Sequence, residues 1–367
     1  MREFFYRLFA LSFCFFRLFP LQKNKVVLLL PHRAGGSLDV LEKALRRRGG
    51  IRIVRVPVAG FGDGVRAMAR FFTAHAMHLA TARWVFLNDN FMPMADLPFS
   101  KKADIVQLWH AEGALKTHGL SLDLPARLRR RVAKGMARYT AVICSCEAVI
   151  PYYAEAFGLP PARILPLGSP RTDLLLSPAD PGARARFDAA HPDCAGKRLV
   201  LYAPTFRDNP AADALLLEHF DFPAFGAAFP ETVLLLRLHP QVHASRDSAD
   251  LPGGTVDVTE EEDLAGLLRL ADALITDYSS ICLDSAFLDV PTYFYWFDGE
   301  DYFQGRNFYV SLSELAPGPI VRDFPALLAA LRTPDDARDR RLAFAAFHLG
   351  RVDGKAADRV TARFLGE

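Results

Sequence analysis

Short apolar runs recur along this chain, each separated from the next by a longer stretch with amphipathic spacing. Lys25-Val-Val-Leu-Leu-Leu-Pro31 is the first; residues 51–58, 84–87, 105–109, 141–144 and 164–167 follow, rich in Val, Ile, Leu or aromatic side chains. Runs that are apolar throughout predict strands buried on both faces of a parallel sheet, with the amphipathic stretches as covering helices. One such helix runs through Leu41 and Leu45, after a loop holding Gly35 and Gly36. The pattern breaks between Leu176 and Arg198, where Ser177-Pro-Ala-Asp-Pro-Gly182 and His191-Pro-Asp-Cys-Ala-Gly196 are turn chemistry. A second series begins at 199–203 and continues at 233–238, 255–258, 274–276 and 292–296. The pattern therefore predicts an α/β protein with domains at 23–176 and 198–335, a linker at 177–197 and closing helices at 336–367. Ligands of open α/β sheets bind beyond the carboxyl ends of the strands, and two facing domains leave a cleft there.

The segment before the first strand follows a different rule. From Phe4 to Leu21 it is almost wholly apolar or aromatic, broken by Arg7 and Arg17. At about 100° per residue, Glu3, Arg7, Ala10, Cys14 and Arg17 form one narrow stripe. Residues 1–22 are expected to form an amphipathic helix lying in a membrane interface, its arginines reaching the headgroups. A helix packed on the body of the protein is the alternative. The segment is too interrupted for a comfortable span and has no small-residue cleavage site.

Composition narrows the classes. Of 367 residues, 51% are hydrophobic and 23% charged, as in a folded protein of more than one domain. A net charge of +2 gives no whole-molecule case for nucleic-acid binding. Five cysteines, without metal-ligand spacing, suit free thiols in a reducing compartment.

Candidate chemistry falls where strands end. Leu274-Ile-Thr-Asp-Tyr-Ser-Ser280, with Asp284 beyond, predicts a buried strand running into a helix start. Unpaired N–H groups there, beside the hydroxyls of Ser279 and Ser280, make an anion site; an ordinary helix cap is the plain alternative. No Gly-x-x-x-x-Gly-Lys loop is present, which excludes a P-loop triphosphatase. Ile105-Val-Gln-Leu-Trp-His110 ends at a histidine, followed by Ala111, Glu112, Gly113 and Ala114. Gly168-Ser-Pro-Arg171-Thr-Asp173, Ala203-Pro-Thr205-Phe206-Arg207-Asp208 and Arg237-Leu-His239-Pro240 close other strands. Each has a mundane reading: a strand-end histidine as a structural group, Arg171 and Arg207 as surface charges or partners of Asp173 and Asp208. Their coincidence at five strand ends points to phosphate binding and proton transfer.

Together these segments resemble the CDP-glycerol glycerophosphotransferase family of teichoic acid and capsule polymer enzymes. The resemblance is carried by Trp109-His110, Lys116 to Gly119, Gly168 to Asp173, Ala203 to Arg207, Leu238 to Pro240, Thr276 to Ser280 with Asp284, and Asp353-Gly-Lys355. Ala111 stands where Gly is more usual. The resemblance implies a GT-B-like fold of two Rossmann-type domains about a central cleft, the donor held mainly by the second. It also implies transfer of glycerol phosphate, or a related alditol phosphate, from a CDP-activated donor to a hydroxyl of a lipid-linked acceptor or growing polymer, with CMP released.

On that basis His110 is the general base and His239 the second catalytic residue, on the diphosphate with Arg207, Ser279 and Ser280. Asp284 is a candidate for the alditol hydroxyls, and Thr205 and Phe206 for the nucleotide. Ala111, Glu112, Gly113, Ala114, Arg171, Asp173, Thr276 and Asp277 complete the expected donor contacts. No carboxylate cluster declares a metal site, no cofactor is implied, and a divalent-ion requirement stays open. The expected location is peripheral, at the cytoplasmic face of the cell membrane, where the basic run of Arg127, Arg129, Arg130, Arg131, Lys134 and Arg138 attracts anionic lipid or polymer, unless it is only a solvated helix face. The length favours addition of one unit over many. Rival classes are a GT-B nucleotide-sugar glycosyltransferase, a UDP-sugar 2-epimerase, and a non-catalytic polymer- or nucleotide-binding protein at the membrane.

Overall fold

The computed structural model describes residues 2–30, 36–58, 64–178, 180–205, 216–238, 251, 253–298 and 307–366. The chain divides into two compact units, Met1–Leu176 with Phe347–Glu367, and Ser177–Ala346.

The first unit opens with helix α1 (Arg2–Phe16). A parallel six-stranded sheet follows in the order β2-β1-β3-β4-β5-β6, formed by β1 (Gln22–Leu30), β2 (Arg52–Pro57), β3 (Ala82–Leu87), β4 (Asp104–Gln107), β5 (Ala141–Ile143) and β6 (Ile164–Leu165). Strand order reverses between β1 and β3, so the crevice of this sheet lies beyond their carboxyl ends. The connecting helices are α2 (Ser37–Arg48), α3 (Gly64–Arg70), α4 (Ala76–Ala80), α5 (Ala126–Met136) and α6 (Ile150–Phe157). A π-helical turn at Phe71–His75 joins α3 to α4. It meets α1: Phe9 stacks on Phe71 at 4.2 Å and Phe5 contacts Phe72 edge-on at 4.8 Å. Phe9 and Phe13 are fully buried, so one face of α1 packs on the unit.

The second unit holds another parallel six-stranded sheet, ordered β12-β11-β10-β7-β8-β9. Its strands are β7 (Arg198–Tyr202), β8 (Thr232–Leu236), β9 (Thr255–Asp257), β10 (Ala273–Thr276), β11 (Thr292–Tyr295) and β12 (Ile320–Val321). Its helices are α7 (Ala183–Ala190), α8 (Phe222–Ala228), α9 (Leu264–Leu270), α10 (Ile281–Phe287), α11 (Leu312–Leu315) and α12 (Phe324–Arg332). Both faces of the sheet are buried: Leu199 and Leu201 of β7 enter one apolar cluster, Val200 and Tyr202 the other. The reversal falls between β7 and β10. Residues 177–197 are not all loop, because α7 lies within them and its Phe187 joins the core. Eight residues with one buried position leave too little periodicity to mark it in the sequence.

The chain then returns to the first unit. α13 (Arg338–Leu349) runs across the boundary, and α14 (Ala356–Leu365) packs on the first sheet, where Val360 joins Leu28, Phe86 and Val106. Trp84 Nε1 donates to the Phe364 carbonyl at 3.0 Å. Among the described residues no helix is long and apolar enough to cross a membrane.

Candidate active site

Two sets of strand-end residues bear the chemistry, one in each unit. In the first unit, β3 and β4 end side by side, Leu87 in register with Gln107. The chain beyond β3 supplies Asn88 and Asp89, and the chain beyond β4 supplies Trp109 and His110. His110 Nδ1 lies 2.9 Å from the Asn88 carbonyl and 3.8 Å from Asp89 Oδ1. A carbonyl only accepts, so Nδ1 carries the proton and the neutral ring keeps its lone pair on Nε2. The side chain is 52% exposed, open to a substrate. Trp109 adopts φ 57°, a left-handed conformation rare for a bulky residue. Its ring lies 4.3 Å from that of His110 and stacks on His118 at 5.0 Å. Burial pushes His118 down to about 4 and keeps it neutral.

The segment after His110 is anchored inward. Glu112 is buried and accepts from Arg171 at 2.9 and 2.8 Å and from Ser169 Oγ at 3.0 Å. Burial works to raise the Glu112 carboxyl, and the Arg171 guanidinium overcomes it, holding the group below the usual carboxylate range. The Ala114 N–H donates to His348 Nδ1 at 3.1 Å, and burial lowers His348 to about 4. At Gly113, with φ 70°, any Cβ would lie 2.7 Å from His348 Cβ. Ala111 is not left-handed, and its carbonyl accepts from Tyr153 Oη at 2.6 Å, so glycine is not needed there. Arg171 therefore binds Glu112, whereas Asp173 caps α14, accepting from the Ala356 and Ala357 amides at 3.0 and 2.9 Å.

In the second unit the carboxyl ends of β7 and β10 are laced together at the order reversal. Thr276 Oγ1 donates to the Ala203 carbonyl at 2.7 Å; Asp277 Oδ1 accepts from the amides of Thr205 at 2.8 Å and Tyr278 at 2.5 Å. Trp296 Nε1 donates to the Asp277 carbonyl at 3.0 Å. Ser279 is half-buried and Ser280 exposed, immediately before α10. Asp284, in the first turn of α10, is only 3% exposed. Phe206, Arg207 and His239 lie outside the described residues. Among the described residues no group of three His, Cys, Asp or Glu side chains gathers as an ion site.

The structure thus brings Thr205, Thr276, Asp277, Ser279 and Ser280 to one sheet edge, and His110, Ala111, Glu112, Gly113, Ala114 and Arg171 to the other unit's loops. Asn88, Asp89 and Gln107 escaped the sequence reading. The first two follow the predicted strand at 84–87 and could have been found by the strand-end rule. His348, remote in sequence, carries no local signal.

A model of the family described as CDP-glycerol:poly(glycerophosphate) glycerophosphotransferase matches residues 54–366. The chain belongs to this family. A teichoic acid ribitol-phosphate primase of Bacillus spizizenii is 34% identical over 294 residues, covering 77% of this chain and 75% of the primase. A teichoic acid poly(ribitol-phosphate) polymerase of the same organism is 31% identical over 364 residues, 96% of this chain but 58% of the polymerase's length. Among solved structures, the wall teichoic acid polymerase TagF superposes with a TM-score of 0.76 at 21% identity, covering 96% of this chain and 92% of that one. A UDP-GlcNAc 2-epimerase from Neisseria meningitidis shares the fold with a TM-score of 0.61 at 11% identity, over 94% of this glycerophosphotransferase-family chain and all of the epimerase. The doubly wound parallel sheets are therefore common to both, while the sequence match lies with the glycerophosphotransferases.

Proposed function

We propose that this chain transfers an alditol phosphate from a CDP-alditol to a hydroxyl of a teichoic-acid-like acceptor, releasing CMP. The observation that carries the reading is His110: a member of this family presents, beyond β4, an exposed imidazole whose Nδ1 is held by a carbonyl. The acceptor oxygen attacks the phosphorus bearing the alditol while its proton passes to Nε2. The bond from that phosphorus to the bridging oxygen breaks, and CMP leaves with the oxygen. Ser279 and Ser280, ahead of α10, would bind the diphosphate together with Arg207 and His239. Ribitol-phosphate enzymes match at 34% and 31% identity, against 30% and 28% for glycerol-phosphate primases, so CDP-ribitol is the first donor to assay.

His110→Ala is expected to lower CMP release by roughly two to four orders of magnitude, with donor Kd unchanged. Near-normal turnover in that variant removes the base assignment, and release of UDP from a UDP-sugar would move the chain to the glycosyltransferase class.

We further propose that α1 rests on the inner leaflet and holds the protein near lipid-linked acceptors. Between its polar stripe and its packed face, Phe4, Leu8, Leu11 and Phe15 are exposed, continued by Leu18 and Phe19. Exposed apolar side chains at this spacing form a third face suited to a lipid interface. The basic run of α5 is less available than its sequence implies: Asp96 binds Arg131 and Lys134, and Glu3 binds Arg127.

A further inference from the structure

Gln107 is the last residue of β4 and is fully buried, with Leu87 and Val142 in register on the two flanking strands. A buried amide is tolerated only when its donors and acceptor are matched. Here they are: Nε2 donates to the Asp89 carbonyl at 3.1 Å and to Tyr139 Oη at 3.3 Å, while Oε1 accepts the Trp109 N–H at 2.9 Å. The two backbone partners are neighbours of the two groups that meet at His110 Nδ1. Trp109 immediately precedes His110, and its left-handed turn directs the imidazole back towards the chain beyond β3. Asp89 immediately follows Asn88, whose carbonyl receives the imidazole N–H. One amide therefore fixes both sides of the contact that sets the tautomer of His110. Left-handed backbone at a bulky residue persists only where its surroundings over-determine it, and the Gln107 bond is part of that restraint.

We propose that Gln107 is a positioning residue for the transfer reaction, its buried amide holding His110 against the Asn88 carbonyl with Nε2 left for the acceptor hydroxyl. The inference rests on His110 being the base. Gln107→Leu leaves the Trp109 N–H and the Asp89 carbonyl without a partner; Gln107→Glu keeps the acceptor for Trp109 but sets a carboxylate oxygen against the Asp89 carbonyl.

The test compares the wild type, Gln107→Leu, Gln107→Glu, His110→Ala and the double variant Gln107→Leu/His110→Ala, by CMP release and by long-range ¹H–¹⁵N NMR of the imidazole. Gln107→Leu is expected to lower kcat by about ten- to a hundredfold, the range for a misplaced reacting group, with donor KM within about threefold. The His110 ring nitrogens should lose their preference for Nδ1–H. In the His110→Ala background the same change should alter kcat by less than about twofold, because a group acting through His110 has nothing left to position. Wild-type kcat in Gln107→Leu beside an impaired His110→Ala overturns the inference, as does an equal fold-loss in both backgrounds or an unchanged tautomer. Near-normal turnover in His110→Ala instead removes the base reading, and the positioning role with it. Where circular dichroism shows Gln107→Leu unfolded, Gln107→Glu decides: a kcat loss at steady KM supports positioning, and wild-type kcat overturns it.

Discussion

Glu112, two residues past the proposed base, is the buried member of an ion pair with Arg171, the side-chain exposures being 5% and 26%. Removing one partner of such a pair leaves an uncompensated buried charge, whereas replacing both with apolar groups is far milder. Arg171→Ala is expected to destabilise the first unit by about 3–5 kcal/mol, and Glu112→Leu/Arg171→Met to restore much of that, read from urea unfolding. Equal losses in the two variants would contradict the pairing. The sequence placed Arg171 and Asp173 among the donor contacts, with a surface charge or a pairing between these near neighbours as the mundane alternatives. The true partners are Glu112 and, for Asp173, the amides of α14. Pairings across such separations leave no trace in spacing. His110, Ser279 and Ser280 are legible because a strand end announces them; the carbonyl that orients His110 is not, since every residue has one.

Among the elements, the loop at 111–114 depends on α13, which delivers His348 to it. Gly113→Ala would press a Cβ to 2.7 Å from His348 Cβ at a left-handed backbone position, and is expected to cost about 1–3 kcal/mol, measurable as a lower Tm. Acid acts on the same contact. His348 and His118 each sit at about 4 in the folded chain and return to about 6.5 on unfolding. Between those values the unfolded chain binds more protons, so stability is full above pH 6.5 and is lost as pH falls towards 4. The loss is on the order of 2 kcal/mol per histidine at pH 5. Urea midpoints at pH 7 and pH 5 should show it, and His348→Gln should flatten the dependence; a wild-type slope in that variant would assign the effect elsewhere. The strands themselves are written plainly in the sequence, as apolar runs too short for helices. β12 is missed because it is two half-buried residues behind Pro317-Gly-Pro319, a pairing made by register with β11 rather than by its own composition.

At the scale of the whole molecule, one face of α1 packs on the π-helical turn, and another presents apolar side chains outward, the face proposed to meet lipid. Replacing Leu11, Phe15 and Leu18 with serine is expected to abolish co-sedimentation with vesicles carrying anionic lipid, while turnover on a water-soluble acceptor persists. Retained sedimentation would leave α1 a purely structural helix. The periodicity of the segment fixes its polar stripe, but two apolar faces of unlike fate look the same in a helical projection.

The return of α14 to the first unit has a consequence for how the protein is made. Val360 and Phe364 complete the apolar layer over Leu28 and Phe86, and Asp173 waits for amides that α14 supplies. Residues 177–346 must leave the ribosome before that layer closes, which at about 5–20 residues per second takes on the order of ten to thirty seconds. During synthesis the first unit is thus the first begun and the last finished: the second unit can fold as a continuous stretch while its predecessor still exposes an unfilled groove. A nascent chain stalled before α14 offers chaperones and proteases a site that the finished protein has sealed.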